Sequence, residues 1–357
     1  MLFNGNTIIQ LSHHFAIYGA QVVAYGAYVA LRSLHNITPE CFIVSNAKGN
    51  PSEIDGIPIR EFDNCALDKE TLILVATTEL LQDEICAALQ NAGFGNYLRI
   101  GAHEEHILMS AYFESIGKFP LLKGSENGAI CDLVLYEVKN HRDKPLANKP
   151  ELEARFCPIQ AGAEITDKRV APLLDNTGCN ISAKNKMYSE MTATYWVWKN
   201  TSHAWKGICH YRRHLLISDA QLSALADGNI DAILPLPYMC FPNTLAQFGR
   251  FVSEEVKNAL LLSLKALHPA QYDDYLSILN GQYQYTYNLV AAKREVFDAY
   301  CSWIFAILEY MENFSDKLPE IATSRALSYV AEVLTSLYFL YNSVKLNIRH
   351  VEKSIFV

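Results

Sequence analysis

A small Rossmann-like α/β domain with a parallel sheet over residues 1–124, then a larger α/β domain over 128–357, is the fold class this sequence predicts. Three observations predict it. Short, unbroken apolar runs alternate with stretches of helical periodicity, the pattern of strands buried on both faces and joined by helices. A polar, glycine-containing segment, residues 123–128, separates two such series. The 357 residues are 50% hydrophobic and 19% charged, enough apolar material for more than one core and too much for a disordered chain.

Each element follows in order. Phe15-Ala16-Ile17-Tyr18-Gly19 reads as a buried strand closed by glycine, and residues 21–34 carry apolar side chains at helical spacing. Cys41-Phe42-Ile43-Val44 and Leu72-Ile73-Leu74-Val75-Ala76 are further strands of a parallel sheet, with Ile57-Pro58-Ile59 between them. A helix over 79–91 and a strand at Tyr97-Leu98-Arg99-Ile100 complete the alternation. A dinucleotide-binding fingerprint needs closely spaced glycines and an acid after the second strand. Here Gly19 is followed by Ala20 and Gln21, and the second strand ends in Ser45-Asn46, so NAD is not expected. Structural support and sugar-nucleotide sensing both remain open for this domain. Ile130 to Tyr136 starts the second series, which runs to the end without a comparable break.

Composition removes several function classes. With 30 Lys+Arg against 38 Asp+Glu the net charge is −8, which argues against nucleic acid as the ligand. Nine cysteines without a CxxC pair read as reduced cytoplasmic thiols rather than disulfides or a zinc ribbon. The opening Met1–Gln10 lacks the pattern of a signal peptide, and no apolar run approaches the ~18 residues of a membrane span. Lys345, Arg349 and Lys353 are candidates for contact with an anionic membrane, and a solvated helix end is the plainer reading. No GxSxG elbow and no P-loop is present, and His103-Glu104-Glu105-His106 has the wrong spacing for a zincin and reads as a loop or helix end.

Hydrogen-bonding residues crowd into 175–214. Asp175, Asn176, Thr177, Gly178, Asn180, Ser182 and Asn185 form a turn-rich stretch suited to sugar or ribose hydroxyls, although Ser182 also fits a helix cap. Glu190, Tyr195 and Trp196 follow, and an aromatic flanked by polar groups offers either core or a sugar platform. His210-Tyr211-Arg212-Arg213-His214 continues the apolar run Gly207-Ile208-Cys209, at what reads as the carboxyl end of a strand. Two adjacent guanidiniums there suit a diphosphate; on one strand they would face opposite ways, so one is expected to pair with an acid. His210 and His214 do not make a metal site without a helix, and no metal ligand is assigned.

These residues resemble one bacterial family. Pro158 to Ala163, Asp175 to Gly178 running into Asn180-Ile181-Ser182, Glu190 to Asn200, and above all Gly207-Ile208-Cys209-His210-Tyr211-Arg212-Arg213 match its successive motifs. His268-Pro269, Tyr287-Asn288, Tyr300 to Phe305, and Arg325 followed by Ala331-Glu332 continue the match over residues 128–340. The family is the domain of unknown function 4422, found in capsular and exopolysaccharide gene products described as glycosyltransferases. Cys179, Val333 and the segment Val138-Lys139-Asn140-His141 depart from its usual residues.

The resemblance implies a glycosyltransferase-A-like fold for the larger domain. It also implies a nucleotide-sugar donor, UDP-linked and carrying galactose as pyranose or furanose, and a glycan or lipid-linked glycan acceptor in surface polysaccharide synthesis. The reaction would be cytoplasmic or at the inner face of the membrane. Sugar transfer needs a base for the acceptor hydroxyl and positive charge for the departing diphosphate. Glu332 is the expected base, with His210, Arg212 and Arg213 at the diphosphate; a buried ion pair of Glu332 with Arg325 is the structural alternative. Tyr211, Asn288, Arg325, Glu190 and the 175–185 stretch are expected to bind donor or acceptor. There is no Asp-x-Asp pair, so no cofactor is expected, with a divalent metal left open. The rival reading is a non-catalytic sugar-nucleotide-binding or scaffold subunit.

Overall fold

A computed structural model describes residues 14–125, 129–149, 151–226 and 229–357. The expectation for Met1–Gln10 and part of the 123–128 linker lie outside the described residues. The chain forms two compact units: residues up to Pro120 with Tyr238–Phe241 and Val357, and Leu121–Pro237 with Pro242–Phe356.

The first unit is built on β1 (Phe15–Tyr18), β2 (Phe42–Val44), β3 (Glu53–Ile54), β4 (Ile57–Glu61), β5 (Leu72–Val75) and β6 (Tyr97–Arg99). They lie in the order β3-β4-β2-β1-β5-β6, parallel except for the β3–β4 pair. Every residue of β1, β2 and β5 is buried, which is why these strands read as continuous apolar runs. Helices Val22–His35 and Glu79–Asn91 supply crossovers, and the helix Ala102–Ser115 follows β6 and packs against Val22–His35. The His103–His106 stretch begins the last of these: Glu104 accepts the Gly101 N–H at 3.0 Å, which satisfies one amide at the start of the helix. Gly19 is required by packing, since it has φ +125° and a Cβ there would lie 2.4 Å from the Ala76 carbonyl oxygen.

The second unit carries β7 (Leu133–Lys139), β8 (Phe156–Gln160), β9 (Leu173–Leu174), β10 (Trp205–His210), β11 (Arg213–Leu215) and β12 (Ala232–Pro235). With three later strands they form a nine-stranded sheet in the order Ile348–Val351, β12, Val290–Lys293, β10, β7, β8, β9, while β11 joins β10 to Lys353–Ile355. β7, β8, β9 and β10 run parallel, and Val290–Lys293 runs antiparallel to β10. One face packs Leu133, Leu135, Trp205 and Cys209 against Leu222 and Leu225 of the helix Asp219–Ala226. On the other face Lys206 is buried, with its Nζ 2.8 Å from Asp298 of the helix Arg294–Glu312. Alternation along β10 places His210 on the Lys206 side.

One expectation is corrected here. Arg349 and Lys353 belong to strands, and Lys353 is buried, so they form no helix end with the exposed Lys345. The strand spacing of this segment was hidden by its charges. Among the described residues no helix is long and apolar enough to cross a membrane. All nine cysteines are free thiols.

Gly19→Ala should destabilise the first unit by about 2–4 kcal/mol in urea melts, because the methyl meets a strand-end carbonyl as well as an unfavourable φ. Gly49→Ala, with φ +78° and nothing within 4 Å, should cost about 1 kcal/mol.

Candidate active site

The carboxyl ends of β7 and β10 and the amino end of Val290–Lys293 lie side by side, because Ile208 is opposite Val290 and His210 is opposite Val138. Tyr211 and Arg212 form a two-residue turn, and Arg213 begins β11 directly opposite His210. Opposed residues of an antiparallel pair share a face, so His210 and Arg213 project together. This turn corrects the expectation of strand alternation: neither Arg212 nor Arg213 makes an ion pair among the described residues. Arg213 instead lies 3.8 Å from the centre of the Tyr287 ring.

Tyr287 and Asn288 take φ of +67° and +52°, a left-handed pair just before the strand Val290–Lys293. Ser189, immediately before Glu190, has φ +49°. Three of the six positive-φ residues other than glycine among those described thus flank this site. Such conformations persist only where the surroundings over-determine them. At Ser189 the surroundings are visible. Asn185 donates to the Ser189 carbonyl at 2.7 Å and to Thr192 Oγ1 at 3.1 Å. The short helix Asn185–Tyr188 is pinned by Glu312, which accepts from Lys184 at 2.8 Å and from the Tyr188 hydroxyl.

Glu190 precedes the helix Met191–Asn200 and is buried. Its Oε1 accepts from Asn288 Nδ2 and Ser328 Oγ, each at 2.9 Å, and Arg325 Nη2 stands 4.0 Å from its Oε2. Asn288 Oδ1 accepts from Thr335, whose hydroxyl also meets Tyr300 at 2.7 Å. Arg325, Ser328, Glu332 and Thr335 all belong to the helix Ala326–Asn342 or its first boundary, on one stripe of an otherwise apolar sequence. Arg325 is therefore the partner of Glu190 rather than of Glu332.

The titration behaviour divides the two acids. Burial opposes ionisation of Glu190, but its positively charged surroundings, Arg325 among them, and the Asn288 hydrogen bond outweigh it and hold the carboxyl below the ordinary range. Glu332 is walled in by protein while part of its surface stays open. Burial, then the negative charge of Glu190, push its carboxyl up to about 7 against the pull of the Tyr287 N–H, Arg213 and Arg325. Burial holds His210 down to about 3 despite Glu190, with Arg213, Arg212 and Arg325 acting in the same direction, so it is neutral at physiological pH. Beyond β7, burial pushes Asp143 up to about 6 against its Asn140 hydrogen bond and the charge of Arg212. Glu190 Oε2, His210 Nδ1, Arg212 Nε and Arg213 Nε are buried without a hydrogen-bond partner. Unpaired polar atoms of this kind want acceptors and donors from a ligand.

The structure places the 175–185 residues differently. Asp175 is fully buried and accepts from the Gly162 and Ala163 N–H groups and from Ser182 Oγ. Ser182 also accepts from Glu164 N–H, so its hydroxyl does not cap the helical turn it begins, as expected from sequence. The Thr177 carbonyl accepts from Trp196 Nε1 at 2.8 Å, which identifies Trp196 as core. Gly178 has φ +56° against Asn200, and Asn180 bonds the local backbone. Asn176 donates to Glu164, and its own Oδ1 is buried without a partner. The loop is organised around its own backbone, and only Asn185 reaches the Ser189–Glu190 turn by hydrogen bonds among the described residues.

His214 faces the other side of the sheet. It meets Glu137 at 3.1 Å, and burial holds it down to about 4. Ser328, Thr335 and Asp143 were not singled out from sequence; for the first two the signal was the polar stripe shared with Glu332. Among the described residues no group of three or more His, Cys, Asp or Glu is arranged to hold a metal.

The family model described as a domain of unknown function (DUF4422) matches residues 138–343, well over half of the chain. The chain belongs to this family. Glu190, His210, Arg212, Arg213, Asn288, Arg325 and Glu332 all fall within the match. A solved structure, the WbbM bifunctional glycosyltransferase in its apo form, is similar at 22% identity and a TM-score of 0.52. The likeness covers 62% of this chain and 45% of that one, so this chain spans less than half the WbbM chain. No curated protein sequence matches. The fold is of the α/β class expected, a Rossmann-like largely parallel sheet followed by a second unit built on a mixed nine-stranded sheet, and it resembles part of the WbbM fold.

Glu332 should make stability pH-dependent. Its folded value of about 7 lies above the ordinary 4.5, so its contribution is fully present below 4.5 and is lost as pH rises through 7. Melting curves should show Glu332→Gln gaining on the wild type between pH 4.5 and 7.5; a constant difference would remove the raised titration.

Proposed function

We propose that the protein is a glycosyltransferase moving a hexose from a nucleotide-diphosphate sugar to a hydroxyl of a growing surface polysaccharide. The observation that carries this reading is the convergence on His210 of three guanidiniums, Arg212, Arg213 and Arg325, the last of them also 4.0 Å from Glu190, beside a second carboxyl that titrates near neutrality. The donor is UDP-linked and its sugar galactose, pyranose or furanose, on the strength of the family motifs. The acceptor is a capsular, O-antigen or exopolysaccharide chain, free or lipid-linked at the inner face of the membrane. Nine free thiols fit a cytoplasmic reaction.

The acceptor oxygen attacks the anomeric carbon, the bond from that carbon to the diphosphate oxygen breaks, and the electron pair leaves with the diphosphate. Glu332 takes the hydroxyl proton, a task for which a value near the working pH is well matched. Arg212 and Arg213 neutralise the charge that builds on the leaving group, and neutral His210 adds a donor. Glu190 stays ionised, orients Asn288 and Ser328, and by its charge keeps Glu332 basic enough to act. Tyr211, Asn176 and Arg325 are the further contacts we assign to donor or acceptor.

A thermal-shift screen of UDP-, GDP- and dTDP-sugars should give its largest stabilisation with a UDP-hexose, and product release should then be detectable with that donor. Glu332→Gln should keep the shift and lose turnover by ~10²–10⁴-fold, and wild-type kcat/KM should fall as pH drops below about 7. Near-normal turnover in Glu332→Gln would reject it as the base. Arg213→Ala should cost ~10²–10³-fold in kcat. The rate should survive EDTA; one that depends on added Mn²⁺ would overturn charge neutralisation by arginine alone.

A further inference from the structure

Phe251 and Tyr329 stack with ring centres 5.1 Å apart and planes 20° from parallel. Phe251 is 48% exposed, and among the described residues it is the one aromatic side chain with large exposed apolar surface, the others being aliphatic. Tyr329 stacks on one side of the ring, and nearly half of Phe251 remains exposed. Tyr329 is one helical turn from Arg325, whose guanidinium lies 5.5 Å from the ring centre, and three residues before Glu332. Residues three and four apart on a helix are neighbours, at roughly 5–6 Å between Cβ atoms. Arg325, Tyr329 and Glu332 therefore share one face of the helix, which puts the stacked pair within one turn of the residue assigned as base.

The mounting is firm. The Phe251 N–H bonds the Phe248 carbonyl at 3.0 Å. Two residues on, Ser253 caps the helix Glu254–Leu267 through its hydroxyl, and its N–H is held by Glu320 at 3.2 Å. A fixed ring loses little freedom on binding. Aromatic faces carry negative charge density, which attracts the polarised C–H groups on the apolar face of a pyranose. A charged guanidinium at the edge of the platform supplies hydrogen bonds for ring hydroxyls, a combination that a purely apolar partner would not use.

We propose that Phe251, backed by Tyr329, is the stacking platform for a sugar ring of the glycan acceptor, which it presents to Glu332. The proposal rests on the glycosyltransferase reading for its direction of transfer, and its test does not need a donor. Saturation-transfer NMR with methyl β-D-galactopyranoside, methyl β-D-glucopyranoside and lactose should show magnetisation passing to the C–H protons of one ring face for at least one of them. Phe251→Ala should reduce that transfer at least fivefold, and Phe251→Trp should keep it. The UDP-hexose thermal shift should be the same in both variants as in the wild type. If no UDP-hexose binds while glycoside transfer still depends on Phe251, the platform stands and the donor assignment falls. Absence of transfer to all three probes, or transfer undiminished in Phe251→Ala, overturns the platform itself.

Discussion

Two carboxylates of like charge held in one desolvated place are the constraint on which the site depends. Burial alone would neutralise both, and a lone ion pair would fix both as charged. Here Glu190 receives two side-chain hydrogen bonds and the nearer guanidinium, whereas Glu332 receives a backbone N–H and bears the field of Glu190. The environments push the two titrations apart, the arrangement that assigns different roles to acids of the same type. The polarity of the helix Ala326–Asn342 follows from this, since Ser328, Glu332 and Thr335 face the site while most of the remaining residues, Leu327, Val330, Val333, Leu334 and Leu337 among them, are buried core.

The backbone strain has the same origin. Ser189 cannot relax without moving Glu190 from Asn288, and Asn288 cannot relax without breaking its contact with Thr335. Asn185 and Glu312 hold one side of this arrangement, and Tyr300 through Thr335 holds the other. Arg213 lies on Tyr287 instead of on a carboxylate, which leaves its charge available to a ligand.

Legibility from sequence followed the physics of each signal. β1, β2 and β5 are buried on both faces, so their apolar runs were plain, and the missing acid after β2 was readable as a local fact. The His210–Arg213 segment was found because charge concentrated after an apolar strand is rare, but its hairpin turn contains no glycine or asparagine to announce it. Asp175 and Ser182 looked like ligand-binding residues because the same donors and acceptors that hold a sugar also hold a loop. The partnership of Glu190 with Ser328 joins residues 138 apart in the chain and has no local signature. Tyr287 and Asn288 adopt left-handed conformations that only their tertiary surroundings impose.

The central claim is that the arginines at the ends of β10 and β11 receive the diphosphate of an activated sugar. The most direct measurement is a crystal structure of Glu332→Gln with intact UDP-galactose, in which slowed turnover preserves the donor. Diphosphate oxygens within hydrogen-bond distance of Arg212 and Arg213, with the anomeric carbon turned toward position 332, are the predicted result. A diphosphate bound away from both guanidiniums would contradict the account.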